Sequence, residues 1–203
     1  MRTGFNKAWA KLNTWTSMNQ FHATFYKNMV TNVGVLSIRG TVPKIKETTD
    51  ADKEYFKAEF DEKNMPQFTD AIQFYIFLQT YSLWKDTTEK YVTGHSLGGM
   101  LAKALAPITG LNTIAFNSPS MSKFLLDNHF SLRLQPGQKQ ITYSSTKDFI
   151  GNVLSGTDTG KYVPVEPDKK ENTLKNELHA LHFHSMKILY TTIKDGVHKN
   201  DMF

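Results

Sequence analysis

Six consecutive residues, Gly94-His95-Ser96-Leu97-Gly98-Gly99, constrain the fold of this chain more than any other segment. They contain the pattern G-x-S-x-G, in which a serine occupies a sharp turn between a strand and a helix. Glycine is needed two positions before and after the serine because side chains there would collide. A short aromatic and β-branched run, 90–93, predicts the strand, and apolar residues at helical spacing in 100–105 predict the helix. The pattern therefore predicts a reactive Ser96 hydroxyl at the carboxyl edge of a sheet, where the alternative is an inert glycine-rich turn.

The rest of the chain alternates strand and helix patterns. Strands are predicted at 21–26, Val33–Ile38, 113–116 and 141–143, with a turn at 28–32. Helices are predicted at 5–16, at 66–84 and at 185–193, and one more begins after Ser96 and is ended by Pro107 and Gly110. The first is predicted because Trp9, Leu12 and Trp15 are three residues apart. The helix at 66–84 is apolar enough that we expect it to be packed on more than one side. The alternation predicts an α/β fold with a mainly parallel sheet and helices on both faces, in one domain covering residues 1–203.

Composition narrows the functional classes. The chain has 203 residues and no cysteine, so disulfides and thiolate metal sites are excluded. Residues 1–10 lack the apolar run of a signal peptide, and the most apolar stretch, 74–78, is too short to span a bilayer. We therefore expect cytoplasmic synthesis, with any export by a route that does not read an N-terminal signal. The net charge of +5 indicates either an ordinary solvated surface or attraction to anionic lipid headgroups. No motif typical of nucleic-acid binding is present.

A reactive serine needs a base, and the base needs an orienting acid. Asp148 follows the strand predicted at 141–143, where a carboxylate could lean over the sheet edge, and Asp158 fits less well. Five downstream histidines are candidate bases. His184 is favoured because it directly precedes the helix predicted at 185–193, with four alternatives: His179 and His182 nearby, His129 ahead of Asp148, and His198 in the polar tail. A metal site at His179, His182 and His184 is disfavoured because Glu177 is the only nearby carboxylate at ligand spacing.

The same chemistry needs two backbone N–H donors for a developing oxyanion. Leu97, directly after the serine, should supply one. Thr41 should supply the other, because Arg39-Gly40-Thr41 ends an earlier strand and Gly40 permits close approach of the backbone. His95 is interpreted as a packed or hydrogen-bonded residue with no catalytic part.

Three segments together resemble the class 3 lipases and their bacterial relatives, including phospholipase-like proteins and lipase-type antibacterial effectors. They are 35–41 (VLSIRGT), 92–99 (VTGHSLGG) and 115–119 (AFNSP), and Asp148 and His184 follow in the family's order. The resemblance covers roughly residues 21–190. It implies an α/β-hydrolase fold and hydrolysis of lipid carboxylic esters without a cofactor or metal. It also implies Ser96 as nucleophile, Asp148 as acid, His184 as base, and Thr41 and Leu97 as oxyanion donors.

Two other functions remain open from the sequence. A soluble-ester carboxylesterase or thioesterase would use the same residues, and a non-catalytic binding protein of this fold would use none of them. For a lipase or phospholipase, the polar segment 44–64, with a short helix predicted at 55–60, could be a cover that opens on lipid.

Overall fold

A computed structural model describes residues 8–40, 65–148, 160–166 and 186. These residues form seven strands, β1–β7, and four helices, α1–α4, in the following chain order: β1 Trp9–Thr16, β2 His22–Asn28, β3 Val33–Ile38, α1 Pro66–Thr80, α2 Ser82–Lys85, β4 Glu89–His95, α3 Leu97–Thr109, β5 Asn112–Phe116, α4 Ser122–Asp127, β6 Gln140–Ser145 and β7 Lys161–Val165. The predicted β3 has its predicted bounds, and the predictions for β2, β4, β5 and β6 are correct to within one or two residues at each end.

The strands form one sheet whose spatial order follows the sequence, from β1 to β7. The first three strands pair antiparallel, and β3 to β7 run parallel. Each parallel crossover moves one position in the same direction, so right-handed connections place α1 and α3 on the same face. Because β3 to β6 all point the same way, their carboxyl ends meet along one edge of the sheet.

The main hydrophobic core lies between that face and the helices. Leu36 on β3 and Val92 on β4 are fully buried partners, and they pack with Phe74 of α1 and Leu101 of α3. A smaller cluster covers the other face of β5 to β7, around Tyr143, Val163 and Val165. Met186, which is helical, lines a cavity against this second face. The predicted mainly parallel α/β architecture is therefore confirmed.

The helix predicted at 5–16 is wrong where the structure describes it, because Trp9–Thr16 is the edge strand β1. Its register against β2 shifts between Lys11 and Asn13, so Leu12 is the extra residue of a β-bulge. The bulge changes the alternation of faces, and Leu12 and Trp15, three residues apart, both pack on the main core. Trp15 lies 5.6 Å from Phe74, ring centre to ring centre. The three-residue spacing of apolar side chains, which predicted a helix, is therefore produced by a bulged strand.

The helix predicted at 66–84 is two helices. Tyr81 has extended backbone angles (φ −86°, ψ 121°), which end α1 and reorient α2. This break lets Trp84 enter the core, where it meets Phe25 edge-on at 5.0 Å. One face of α1 is open, because Ile76 and Phe77 are exposed. On another side, the Tyr75 hydroxyl donates to the Thr109 carbonyl of α3 (3.3 Å).

Three further differences concern shorter features. The helix α3 continues past Pro107 to Thr109 and ends, as predicted, at Gly110, whose φ of 73° is left-handed. The sequence interpretation missed α4, and it also missed the strand β7, whose Pro164 is typical of an edge strand. In the described part of the chain, no helix is long and apolar enough to cross a membrane. The predicted cover at 44–64 with its helix at 55–60, and the helix predicted at 185–193 except Met186, lie outside the described residues.

Candidate active site

Ser96 occupies the junction between β4 and α3 in a strained conformation. Its φ is 55° and its ψ is −127°, a combination that residues with a Cβ rarely adopt. Its backbone is held on both sides, since its N–H donates to the Phe116 carbonyl (3.0 Å) and its carbonyl accepts from the Met100 N–H (2.9 Å). The Ser96 hydroxyl makes no capping hydrogen bond to the helix. The side chain is 6% exposed, so it is nearly enclosed.

Glycines make this turn sterically possible. A Cβ on Gly94 would lie 2.3 Å from the Gly98 carbonyl carbon, and a Cβ on Gly98 would lie 2.3 Å from the Ile38 carbonyl oxygen. Backbone atoms are the obstacles at both positions, so a rotamer change cannot relieve the clash. The turn is therefore packed directly against the end of β3 as well as against itself.

The two predicted oxyanion donors differ in what the structure shows of them. Leu97 is the first residue of α3, and the first N–H groups of a helix have no acceptor within it. A Cβ on Gly40 would lie 2.5 Å from the His95 carbonyl oxygen and 3.4 Å from the Ser96 Cβ, so the chain end after β3 passes directly beside the serine. Thr41, the next residue, lies outside the described residues.

Asp148 lies three residues beyond the end of β6 and is fully buried. Its N–H donates to the Ser145 carbonyl (2.9 Å), which closes a tight turn at the carboxyl edge of the sheet. Ser96 follows β4 at the same edge, and β5 separates β4 from β6. Two spacings of about 4.8 Å therefore separate the strand axes that carry the two residues.

The described residues do not include the histidine predicted as the catalytic base. His184, His179, His182 and His198 all lie outside them, as does the alternative acid Asp158. His129 is described, is exposed just after α4 and has a left-handed φ of 60°. Among the described residues, no group of three or more His, Asp or Glu side chains could hold a metal ion.

His95 lies on the face of β4 opposite Gly94. It is partly buried and lines a cavity of about 410 Å³ with Ser37, Thr93, Phe116 and Met186, among others. His95 is not free, since it has an interaction partner. This placement agrees with the interpretation of His95 as a packed residue.

Positive charge lies at the edge of the sheet that carries Ser96. Arg39 follows β3 and is exposed, and its N–H donates to the His22 carbonyl (2.9 Å). The pKa of His22 is lowered, mainly by burial and then by the positive charges of Arg39 and Lys11. Each of these disfavours the charged imidazolium. Arg39 thus places an exposed positive charge at the same edge of the sheet as the serine.

The parallel sheet, the glycine-enclosed serine between β4 and α3 and the buried aspartate after β6 together define an α/β-hydrolase fold.

Comparisons with known proteins found similarity at a low level, among solved structures. No protein-family model matches the sequence, and the search of curated proteins gave no match. Among solved structures, the chain is similar to lipase II from Rhizopus niveus (15% identity over 72% of this chain and 61% of that one, TM-score 0.48). It is also similar to the Rhizopus microsporus var. chinensis lipase (14% identity over 72% of this chain and 56% of that one, TM-score 0.45). A third similar structure is Yarrowia lipolytica Lip2 lipase (13% identity over 79% of this chain and 66% of that one, TM-score 0.48). This chain thus spans 56% and 61% of the two Rhizopus lipases.

Proposed function

We propose that this chain is a serine hydrolase that cleaves lipid carboxylic esters, as a lipase or phospholipase, through Ser96, His184 and Asp148. The observation that carries the proposal is the strained Ser96 backbone, with φ at 55° and the hydroxyl unused for helix capping. Such strain costs of the order of 1–3 kcal/mol and persists where the surrounding structure enforces it, as at active sites. An inert serine would have no need of this conformation or of the glycines that permit it.

In the proposed mechanism, His184 removes the Oγ proton of Ser96 as Oγ attacks the ester carbonyl carbon. The negative charge that develops on the carbonyl oxygen accepts hydrogen bonds from the Leu97 and Thr41 N–H groups, each worth about 3 kcal/mol in comparable sites. His184 then protonates the leaving alcohol oxygen as the carbon–oxygen bond breaks. His184 then deprotonates water as the water oxygen attacks the acyl carbon. The bond from that carbon to Ser96 Oγ breaks, His184 returns the proton to Oγ, and the carboxylic acid is released. Asp148 orients the imidazole and stabilises its charged form throughout.

Lipid is the proposed substrate class because of the sequence resemblance to class 3 lipases and the charge of the protein. The net charge of +5 and the exposed Arg39 at the edge that carries Ser96 favour an anionic headgroup or membrane surface.

The nucleophile is tested with a fluorophosphonate probe, which reacts with activated serines. We expect the native protein to be labelled and Ser96→Ala not to be. Labelling that persists in Ser96→Ala would refute the assignment of the nucleophile. Absence of labelling in a folded wild-type protein would favour a non-catalytic protein of this fold.

The substrate class is tested by lipidomics of membranes treated with wild-type protein or with Ser96→Ala. Release of free fatty acid by the wild type alone supports a lipid ester hydrolase and identifies the bond that is cleaved. A protein that hydrolyses monomeric esters, shows no gain in rate when the substrate aggregates and leaves membrane lipids intact would be a soluble esterase or thioesterase.

A further inference from the structure

We propose that Asn117 is a positioning residue that holds the turn carrying Asp148 in register with the nucleophile. In the sequence, Asn117 has no role beyond belonging to the segment 115–119. The proposal rests on the proposed function, since it assumes that Ser96 and Asp148 act in one catalytic site.

Asn117 lies between the two halves of that site. It follows β5 directly and is fully buried. The Ser96 N–H donates to the carbonyl of the preceding residue, Phe116 (3.0 Å), and the Asn117 N–H donates to the Tyr143 carbonyl on β6 (2.8 Å). The backbone around Asn117 therefore contacts the nucleophile's strand on one side and the acid's strand on the other.

The Asn117 side chain completes the connection. Its Oδ1 accepts a hydrogen bond from the Ser145 N–H (2.8 Å), and this bond is buried. The φ of Asn117 is 43°, in the left-handed region, where asparagine is tolerated better than most residues. Because the backbone is no longer extended at Asn117, the side-chain amide can reach across to the neighbouring strand and contact Ser145 at the end of β6.

Every backbone N–H of the turn from Ser145 to Asp148 is hydrogen-bonded, and Asn117 supplies the bond that leads to β5. The Thr146 N–H donates to the Val165 carbonyl on β7 (3.0 Å), and the Lys147 N–H donates to Ser145 Oγ (3.3 Å). The Asp148 N–H donates to the Ser145 carbonyl (2.9 Å). Two of these bonds lie within the turn and one leads to β7, away from the nucleophile. Removing the Asn117 amide would thus leave the Ser145 N–H buried without this acceptor and would loosen the turn on the side that faces Ser96.

Loosening this turn has a specific chemical consequence. A triad aspartate works by holding the imidazole in one orientation and by stabilising the imidazolium. Displacement of a catalytic group by about 1 Å can cost roughly 100-fold in rate. If Asp148 is less well placed, the imidazolium is stabilised less and the pKa of the base falls.

The test compares Asn117→Gly with Asn112→Ala in the full chain. Glycine keeps the left-handed φ at 117 and removes the acceptor. Asn112 is the matched control, because its Oδ1 accepts from the Lys139 N–H (2.9 Å) between the same two strands at the opposite edge of the sheet. Asn117→Ser carries the same expectation if the glycine variant does not fold, because the hydroxyl is too short to reach the Ser145 N–H.

Hydrolysis of a monomeric p-nitrophenyl ester is measured against pH, with active sites counted by fluorophosphonate. We expect kcat per labelled site to fall by about 10- to 100-fold in Asn117→Gly with KM little changed, and to stay within about twofold in Asn112→Ala. The acidic limb of the kcat/KM profile should move to lower pH by roughly half a unit or more.

A merely structural role would reduce the number of labelled sites without moving the acidic limb. That result would overturn the proposal, and so would an unchanged kcat. Absence of labelling in the wild type would refute the proposed function together with this proposal, whereas normal labelling and kinetics in Asn117→Gly would refute this proposal alone.

Discussion

At the scale of single residues, the site is organised by backbone conformations that ordinary residues avoid. Ser96 and Asn117 both have left-handed φ values, 55° and 43°, and both are nearly or fully buried at the carboxyl ends of neighbouring strands. Because both residues are buried, the surrounding packing must hold their backbones in this conformation and offset its energetic cost. The other described non-glycine residues with a positive φ, namely Gln20, Asn32 and His129, are exposed or half-buried, so the buried ones are those at the proposed site.

The strain at Ser96 predicts an unusual difference in stability. Ser96→Gly should be more stable than Ser96→Ala by about 1 kcal/mol, because glycine adopts this φ without a Cβ clash, whereas alanine keeps the strain. Both variants remove the hydroxyl, so they are matched in every respect except the Cβ. Urea unfolding of the two variants measures the difference. A glycine variant less stable than the alanine variant would show that the conformation of Ser96 is not strained.

At the scale of elements, the β1–β2 hairpin is fixed to helix α1 through one carboxylate. Asp70 Oδ2 accepts hydrogen bonds from Ser17 Oγ (2.7 Å) and from Asn19 Nδ2 (3.0 Å), and Gln67 Nε2 donates to the Asn19 carbonyl (3.0 Å). Asp70 is buried, whereas Gln67 is half-buried and its hydrogen bond to Asn19 is exposed. The hairpin turn lies at the sheet edge that carries Ser96, since the Arg39 N–H donates to His22 at the start of β2.

Removing this carboxylate should loosen the hairpin. We expect Asp70→Ala to lower the free energy of unfolding by about 2 kcal/mol, because two polar groups lose a charged acceptor. Gln67→Ala, on the same helix and facing the same turn, should cost less than about 0.5 kcal/mol because its hydrogen bond is exposed. Urea denaturation followed by tryptophan fluorescence measures both. Equal losses in the two variants would contradict the role given to Asp70.

At the scale of the whole molecule, charge and topology act together. The parallel strands bring Ser96, Asp148 and Arg39 to one edge of the sheet, while the net charge of +5 is a property of the entire chain. A positively charged protein is attracted to an anionic surface from any direction. Arg39 at the edge that carries Ser96 should favour the orientation in which the serine faces that surface.

Vesicle binding tests this orientation. The protein should sediment with phosphatidylglycerol vesicles more than with phosphatidylcholine vesicles, and the binding should weaken in about 1 M salt, where the Debye length is about 3 Å. Arg39→Gln should reduce the affinity about fivefold, since a basic residue near a membrane surface contributes about 1 kcal/mol. Arg133→Gln removes the same charge from the connection between α4 and β6, and it should have little effect. Equal effects of the two substitutions would show that net charge alone governs binding.

The sequence by itself determined the centre of this fold. The strands β3, β4 and β5 and the turn at Ser96 follow from local alternation, from β-branched residues and from glycines whose absence would cause a backbone clash. All of these are properties of adjacent residues, so a short window contains them. The end of α3 at Gly110 was predictable for the same reason.

Only the tertiary structure decided the edges of the sheet and the connection between the strands that precede Ser96 and Asp148. The spacing of Leu12 and Trp15 is as consistent with a helix as with a bulged strand, and pairing with β2 selects the strand. The strand β7 forms because β6 offers an unpaired edge, although Pro164 weakens its own strand pattern. The contact from Asn117 to Ser145 joins residues 28 positions apart. Such pairings depend on which distant backbone groups meet, and no local pattern encodes that.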